Sequence, residues 1–231
     1  RWGNKGVFQG SAAHSIAYRP DIDGLRAVAV GLVVLFHAWP KWLRSGFIGV
    51  DIFFVISGFL ITSIILKDLR QRAFTIRGFY VRRIRRIFPA LVTVVLAVLA
   101  FGWYVLLRQE FAQLGKHVAA AAGFVSNLVL WSESGYWDND SVTKPLLHLW
   151  SLGIEEQFYI VWPAVLLLTW RLAWRRRANL VTVTDTLALL SFVLNAAGVT
   201  HHGTATFYSP LSRAWELLAG ALLACAAHRG T

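Results

Sequence analysis

Residues 47–66 read FIGVDIFFVISGFLITSIIL, and residues 67–86 read KDLRQRAFTIRGFYVRRIRR. The first stretch matches the hydrocarbon core of a bilayer, which about 20 helical residues cross, and it carries a single charge, Asp51. The second holds Lys67, Arg70, Arg72, Arg77, Arg82, Arg83, Arg85 and Arg86 against one acid, Asp68. An apolar run followed by a basic loop is the pattern that orients a membrane helix, with the basic side cytoplasmic.

The same alternation extends in both directions. Further apolar runs are Leu25–Trp39, Ile87–Leu107, Leu149–Trp170, Leu180–Val199 and Leu211–Ala227, and Arg171, Arg175, Arg176 and Arg177 form a second basic loop. Val118–Trp131 is apolar but short, Ala-rich and flanked by Lys116 and His117. If it spanned, the second basic loop would fall outside; if it is interfacial or re-entrant, both basic loops lie inside. The expected fold is therefore all-α: a polytopic transmembrane helical bundle of six spans, with seven as the alternative. The N-terminus is then cytoplasmic, and loops 40–46, 108–147 and 200–210 lie on the opposite side. Ser132–Lys144, with Glu133, Asp138 and Asp140, reads as an exposed acidic loop.

Composition agrees. Of the 231 residues 56% are hydrophobic and 15% charged, with 11 Trp and 15 Phe, many near the ends of apolar runs where interfacial belts form. Mean hydropathy is +0.53, and a soluble domain would have to expose apolar surface that drives association. The net charge of +11 sits between apolar runs, which favours membrane lipid or an anionic cofactor over nucleic acid. A single cysteine, Cys225, rules out a disulfide framework and a Cys-based metal site. Residues 1–18 lack the layout of a cleavable signal, and no internal repeat of the transporter type is visible. The chain contains no Met, even at position 1, so it is expected to be part of a longer protein.

Charged groups within apolar helices are costly and mark function. Arg26 and His37 lie 11 residues apart, on one face of the first run and about 16 Å apart along its axis. His37 is a candidate general base, transient acyl acceptor or proton relay; the plainer alternative makes it an interfacial histidine and Arg26 a topology anchor. Asp51 either caps a helix or orients the His37 imidazole. Gly46, Gly49 and Gly58 predict close helix approach. Arg82, Arg83, Arg85 and Arg86 serve as a topology signal, a lipid anchor or a phosphate clamp. In HLWSLGIEEQFY at 148–159, His148, Glu155 and Tyr159 share one helical face, with Glu156 about 100° away. Those carboxylates can bind sugar hydroxyls, neutralise Arg or act as base. The seven-residue gap from His148 does not suit a metal. Arg213 and Glu216 are spaced for a local ion pair.

Five blocks carry a family resemblance: YRPDIDGLRAVAV at 18–30 leading to His37, GVDIFFVISGFLI at 49–61, the Arg-rich run before Pro89, HLWSLGIEEQFY at 148–159, and RAWELLAG at 213–220. Together they resemble the bacterial membrane acyltransferases typified by O-antigen and other surface-polysaccharide O-acetylases, the acyltransferase 3 family. The resemblance implies transfer of an acyl group, usually acetyl, from cytoplasmic acyl-CoA to a sugar hydroxyl of a cell-envelope glycan or lipid-linked sugar. It implies a bacterial inner-membrane location and no metal. It makes Arg26 and His37 the catalytic pair, with Asp51 or Glu155 orienting His37. Arg82, Arg83, Arg85 and Arg86 become the donor site, and His148, Ser151, Glu156 and Tyr159 a substrate-binding stretch. By the same resemblance residues 1–17 precede the acyltransferase domain, and 18–231 form that domain without its C-terminal spans. A transporter of acylated intermediates is the competing class.

Overall fold

In the computed structural model, residues 19–134, 144–172 and 178–228 are described. They form helices only: α1 Pro20–Ala38, α2 Ile48–Arg70, α3 Ile76–Val105, α4 Arg108–Ala122, α5 Ser126–Glu133, α6 Leu149–Leu172, α7 Ala178–Gly198, α8 Gly203–Tyr208 and α9 Pro210–Ala227. The expected N-terminal segment and most of the second basic loop lie outside the described residues.

Among the described residues, α2, α3, α6 and α7 are long and apolar enough to cross a membrane. The all-helical membrane bundle is therefore present, with four such helices among the described residues. The first and last expected spans fall short for local reasons. α1 carries Asp21, Asp23 and Arg26 within 19 residues, and α9 carries Arg213 and Glu216 within 18.

Helix direction follows from the side-chain contacts. Asp51 meets Arg213 at the starts of α2 and α9, and Arg70 meets the His228 carbonyl at their ends, so these two run parallel. Phe54 packs on Trp150, and Trp162 Nε1 donates to Thr62 Oγ1 at 2.8 Å, so α6 runs with them. In α3, Tyr80 reaches the Ile160 carbonyl and Arg83 reaches Glu156, which makes it antiparallel to α6.

The close approaches are made at glycine. A methyl placed on Gly58 would lie 1.8 Å from the Leu217 carbonyl oxygen, and one on Gly220 would lie 1.9 Å from that of Val55. Gly49 and Gly46 likewise admit the backbone of α1 at Ala29 and Leu32. Without lipid-driven burial between helices, such contact is the main source of packing energy.

The ambiguous segment 118–131 does not form one continuous helix. It is broken at Gly123–Val125 into α4 and α5, and Phe124 adopts φ 55°. α4 packs along the end of α3 through Leu114 against Gly102 and Phe111 against Trp103. The tip reaches Phe88 of α3 and Gln157 of α6, about 12 Å along α6 from its first residue. α5 then returns, placing Leu130 beside Trp150 in one core cluster. This is a helical hairpin whose tip is held by side chains: Gln157 Nε2 donates to the Phe124 carbonyl and to Asn127 Oδ1.

Glu133, expected on an exposed acidic loop, is instead held by Lys116 at 2.6 Å, Lys144 at 3.0 Å and His117 at 3.2 Å. Asp138 and Asp140 lie outside the described residues. Burial pushes the Glu133 carboxyl up, but hydrogen bonds from Lys116 and Lys144 more than offset it and leave it below its ordinary 4.5. A lowered carboxyl stabilises the fold above its unfolded pKa, and the contribution disappears as pH falls through the folded value. Protection of α5 amides, taken relative to the intrinsic exchange rate at each pH, is therefore expected to fall at acidic pH below 4.5, and E133Q is expected to show that lower protection already at neutral pH. Equal protection of wild type and E133Q would contradict this.

Candidate active site

Two groups of polar side chains lie along the inner faces of α1, α2, α3 and α6. The first is a cavity of about 160 Å³ lined by Arg26, Ser57, Arg83, Arg86, Glu155 and Tyr159 and closed by apolar residues of α2, α3 and α6. Arg83 anchors it. Its guanidinium lies 2.6 Å from Glu156 Oε1 and 4.0 Å from the centre of the Tyr159 ring. Tyr159 in turn donates to Glu155 Oε2 at 3.4 Å. A buried guanidinium so placed is compensated by charge and by a π face together.

The helical period sorts the arginine run. Arg83 and Arg86, at i and i+3, face the cavity with Arg26. Arg82 turns away to Asp68 at 2.9 Å, and Arg85 is exposed and outside the lining. Of the four arginines of the run, two therefore line this cavity. Glu156, expected to bind substrate, is taken by Arg83.

The second group lies at the end of the bundle where α1 stops and α6 starts. His37 Nε2 and His148 Nε2 are 3.0 Å apart, and His37 Nδ1 lies 2.8 Å from the Val33 carbonyl oxygen. Ser151 Oγ donates to the His148 carbonyl at 3.3 Å. Burial, then the neighbouring His37, hold His148 below its ordinary pKa. His148 belongs to the turn before α6, not to its first helical turns. It meets His37, while Glu155 and Tyr159 line the cavity.

Neither expected carboxylate orients His37. Asp51 is bound by Arg213 at 2.5 Å, which also holds Glu216 at 3.1 Å. Arg213 further lies over the rings of Phe54, Trp150 and Phe207. Glu155 sits in the cavity, about 10 Å along α6 from His148. The expected Arg213–Glu216 pair is present and gains Asp51 as a third member.

Ser57 was not singled out in the sequence, although a lone hydroxyl beside Gly58 within an apolar run is a signal of the same kind as Asp51. It faces Glu155 and Tyr159 across the cavity. No group of His, Cys, Asp and Glu among the described residues is arranged to hold a metal ion.

A cluster of guanidiniums around one cavity and a histidine pair at one end of the same helices lie in a bundle with four helices long and apolar enough to cross a membrane. Comparison with known proteins gives the class: the acyltransferase domain family, acyltransferase 3, matches residues 19–231, and the chain belongs to it. It is 38% identical over 219 residues to the peptidoglycan O-acetyltransferase OatA of Listeria monocytogenes, covering 91% of this chain and 34% of that protein. It is 39% identical over 212 residues to the putative peptidoglycan O-acetyltransferase YrhL of Bacillus subtilis, covering 90% and 33%. With the O-acetyltransferase OatA of Staphylococcus aureus the identity is 35% over 214 residues, covering 91% and 35%. The chain thus spans about a third of the length of these relatives. No solved structure matches it.

Proposed function

We propose that this chain is the acyl-transferring part of a bacterial inner-membrane O-acetyltransferase. Acyl-CoA, acetyl-CoA first, is the donor, and a sugar hydroxyl of a cell-envelope glycan or its lipid-linked form is the acceptor. The observation that carries this reading is the convergence of Arg26, Arg83 and Arg86 on one cavity, with the His37–His148 pair at the far end of α1 and α6. Guanidinium forks suit the phosphates of a CoA donor. Arg26 faces the charge that develops on the thioester oxygen, and His37, paired with His148, belongs to the basic group that the acceptor hydroxyl requires. The relatives' names as peptidoglycan O-acetyltransferases favour a peptidoglycan sugar as acceptor.

In this reading α1 and α9 lie in the membrane beside the four spanning helices and complete six. The N-terminus and the basic loop 67–86 are cytoplasmic, and the α4–α5 hairpin enters and leaves from the other side. The donor then arrives from the arginine end, and its thioester has about 10 Å to cover between the level of Glu155 and that of His148. Residues 18–231 act as the acyltransferase domain.

The test is acetyl-ester formation and thiol release by the protein in lipid vesicles, given acetyl-CoA and soluble peptidoglycan glycan fragments. Uptake of either compound without ester would favour transport instead. Arg86 is exposed and has no ion-pair partner among the described residues, so its removal costs little stability. R86A is expected to raise the KM for acetyl-CoA about 10- to 100-fold with kcat nearly unchanged, as loss of one charge-assisted contact requires. R85A serves as the control and leaves KM where it was. An R86A enzyme with wild-type KM would remove the donor site from this cavity.

A further inference from the structure

The hydrogen bonds of the histidine pair determine where each proton lies. The Val33 carbonyl only accepts, so the Nδ1 of His37 that faces it at 2.8 Å must carry a hydrogen. If His37 is neutral, its Nε2 is then a bare lone pair. That lone pair points at His148 Nε2, 3.0 Å away, so the hydrogen between the two rings belongs to His148. Protonating both rings would set two imidazolium ions at that distance, which like-charge repulsion disfavours. The neutral pair therefore has one arrangement, and His148 Nδ1 is left bare. That nitrogen has no hydrogen-bond partner among the described residues, and His148 is exposed.

Resting on the acyl-transfer reading above, we propose that the atom which takes the proton from the acceptor hydroxyl is Nδ1 of His148, with His37 as the group that receives a proton in turn. His37 itself is poorly placed for first contact, because its only bare nitrogen is already covered by His148.

The step balances as follows. The sugar O–H bond breaks and its proton goes to His148 Nδ1, while the hydrogen on His148 Nε2 crosses to His37 Nε2. The charge then rests on His37, whose Nδ1–H is held by the Val33 carbonyl. The sugar oxygen's electron pair forms the C–O bond to the carbonyl carbon of an acyl thioester. When the tetrahedral adduct collapses, the C–S bond breaks and sulfur leaves with the electron pair. The proton returns from His37 through His148 to the sulfur, so an ester and a thiol leave and the pair is restored. Unlike the carboxylate of a Ser-His-Asp triad, which orients its histidine without being protonated, the second ring here takes up a proton, and no carboxylate beside His37 is needed.

The discriminating variant is H148Q. A glutamine amide keeps an N–H donor for His37 but offers no basic nitrogen. In vesicles with acetyl-CoA and peptidoglycan glycan fragments, H148Q and H148A are both expected to lose about 10²- to 10⁴-fold in kcat, the range for a lost general base, with the KM for acetyl-CoA unchanged. Added imidazole should restore part of the H148A activity and none of H37A. H148Q within about threefold of wild type would overturn the proposal, because His148 would then only orient His37. Wild type that forms no ester would instead overturn the acyl-transfer reading, whereas H37A that forms it at the wild-type rate would remove His37 from the proton path and overturn the proposal. Nitrogen NMR of the labelled protein in lipid tests the assignment independently of activity. A neutral His148 protonated at Nε2 is expected, and one protonated at Nδ1 would overturn it.

Discussion

His37→Ala is expected to abolish acetyl-ester formation, by at least about 10³-fold, while leaving the bundle inserted and its unfolding temperature within a degree or two of wild type. The two halves of this expectation come from different parts of the structure. His37 is exposed near the last turn of α1, and among the described residues its side chain makes the bond to its own turn at Val33, the contact with His148 and an edge contact with Phe36. Truncation there empties no core and leaves no buried charge, so stability changes belong to the small surface class. Chemistry, by contrast, loses the group on which the abstracted proton comes to rest, whichever imidazole touches the hydroxyl first. Removing one member of a unit that acts together costs nearly as much as removing both, so H37A/H148A is expected to be little worse than H37A. The measurement pairs ester formation with thermal unfolding in detergent. Losses in H37A and H148A that multiplied in the double variant would show two independent groups and break the dyad apart.

Much of this architecture was legible in the sequence, and what was hidden has a common cause. Period and length locate helices and their faces, so α2, α3, α6 and α7 could be read from runs of about 20 apolar residues. Gly58 could be read as a point of close approach. The same local rules do not say which helix lies against which face. Asp51 looked available to His37 because both stand at the same end; the structure gives it to Arg213, 162 positions away in the chain. Arg82, Arg83, Arg85 and Arg86 looked equivalent until the position of α6 separated the pair that faces Glu155 and Tyr159 from the pair that does not. His148, in the turn just before α6, meets His37, whereas Glu155 and Tyr159 further along α6 line the cavity. The hairpin at 118–131 could be narrowed to re-entrant or interfacial by the balance of basic loops. Its depth, however, depends on Gln157 and Asn127 meeting its tip, a contact that no local pattern encodes.

Gly58→Ala is expected to be the most destabilising single-methyl change in the protein, and Gly31→Ala, in the same kind of apolar helix, to be neutral or slightly stabilising. Ordinary helix propensity predicts the same small gain at both sites, because glycine inside a helix costs roughly 0.5–1 kcal/mol relative to alanine. The surroundings reverse the sign at one of them. At Gly31 a new methyl meets nothing within 4 Å. At Gly58 it would lie 1.8 Å from the Leu217 carbonyl oxygen and 2.6 Å from its carbon, both backbone atoms of α9 that no rotamer change can move aside. The helices must separate, and overpacking of this kind costs about 1–3 kcal/mol or more. Separation has consequences at both polar groups. Ser57, the neighbouring residue, lines the cavity, and Asp51 and Arg213 bridge the same two helices at their starts. G58A is therefore expected to lower both thermal stability and ester formation, unlike H37A, which lowers only the second. Gly220→Ala should behave the same way, since its methyl would lie 1.9 Å from the Val55 carbonyl at the same crossing. Because one separation relieves both clashes, G58A/G220A should cost less than the sum of the two single changes. Detergent-solubilised variants compared by thermal unfolding decide the matter: G58A as stable as G31A would mean that α2 and α9 do not cross backbone to backbone at this point.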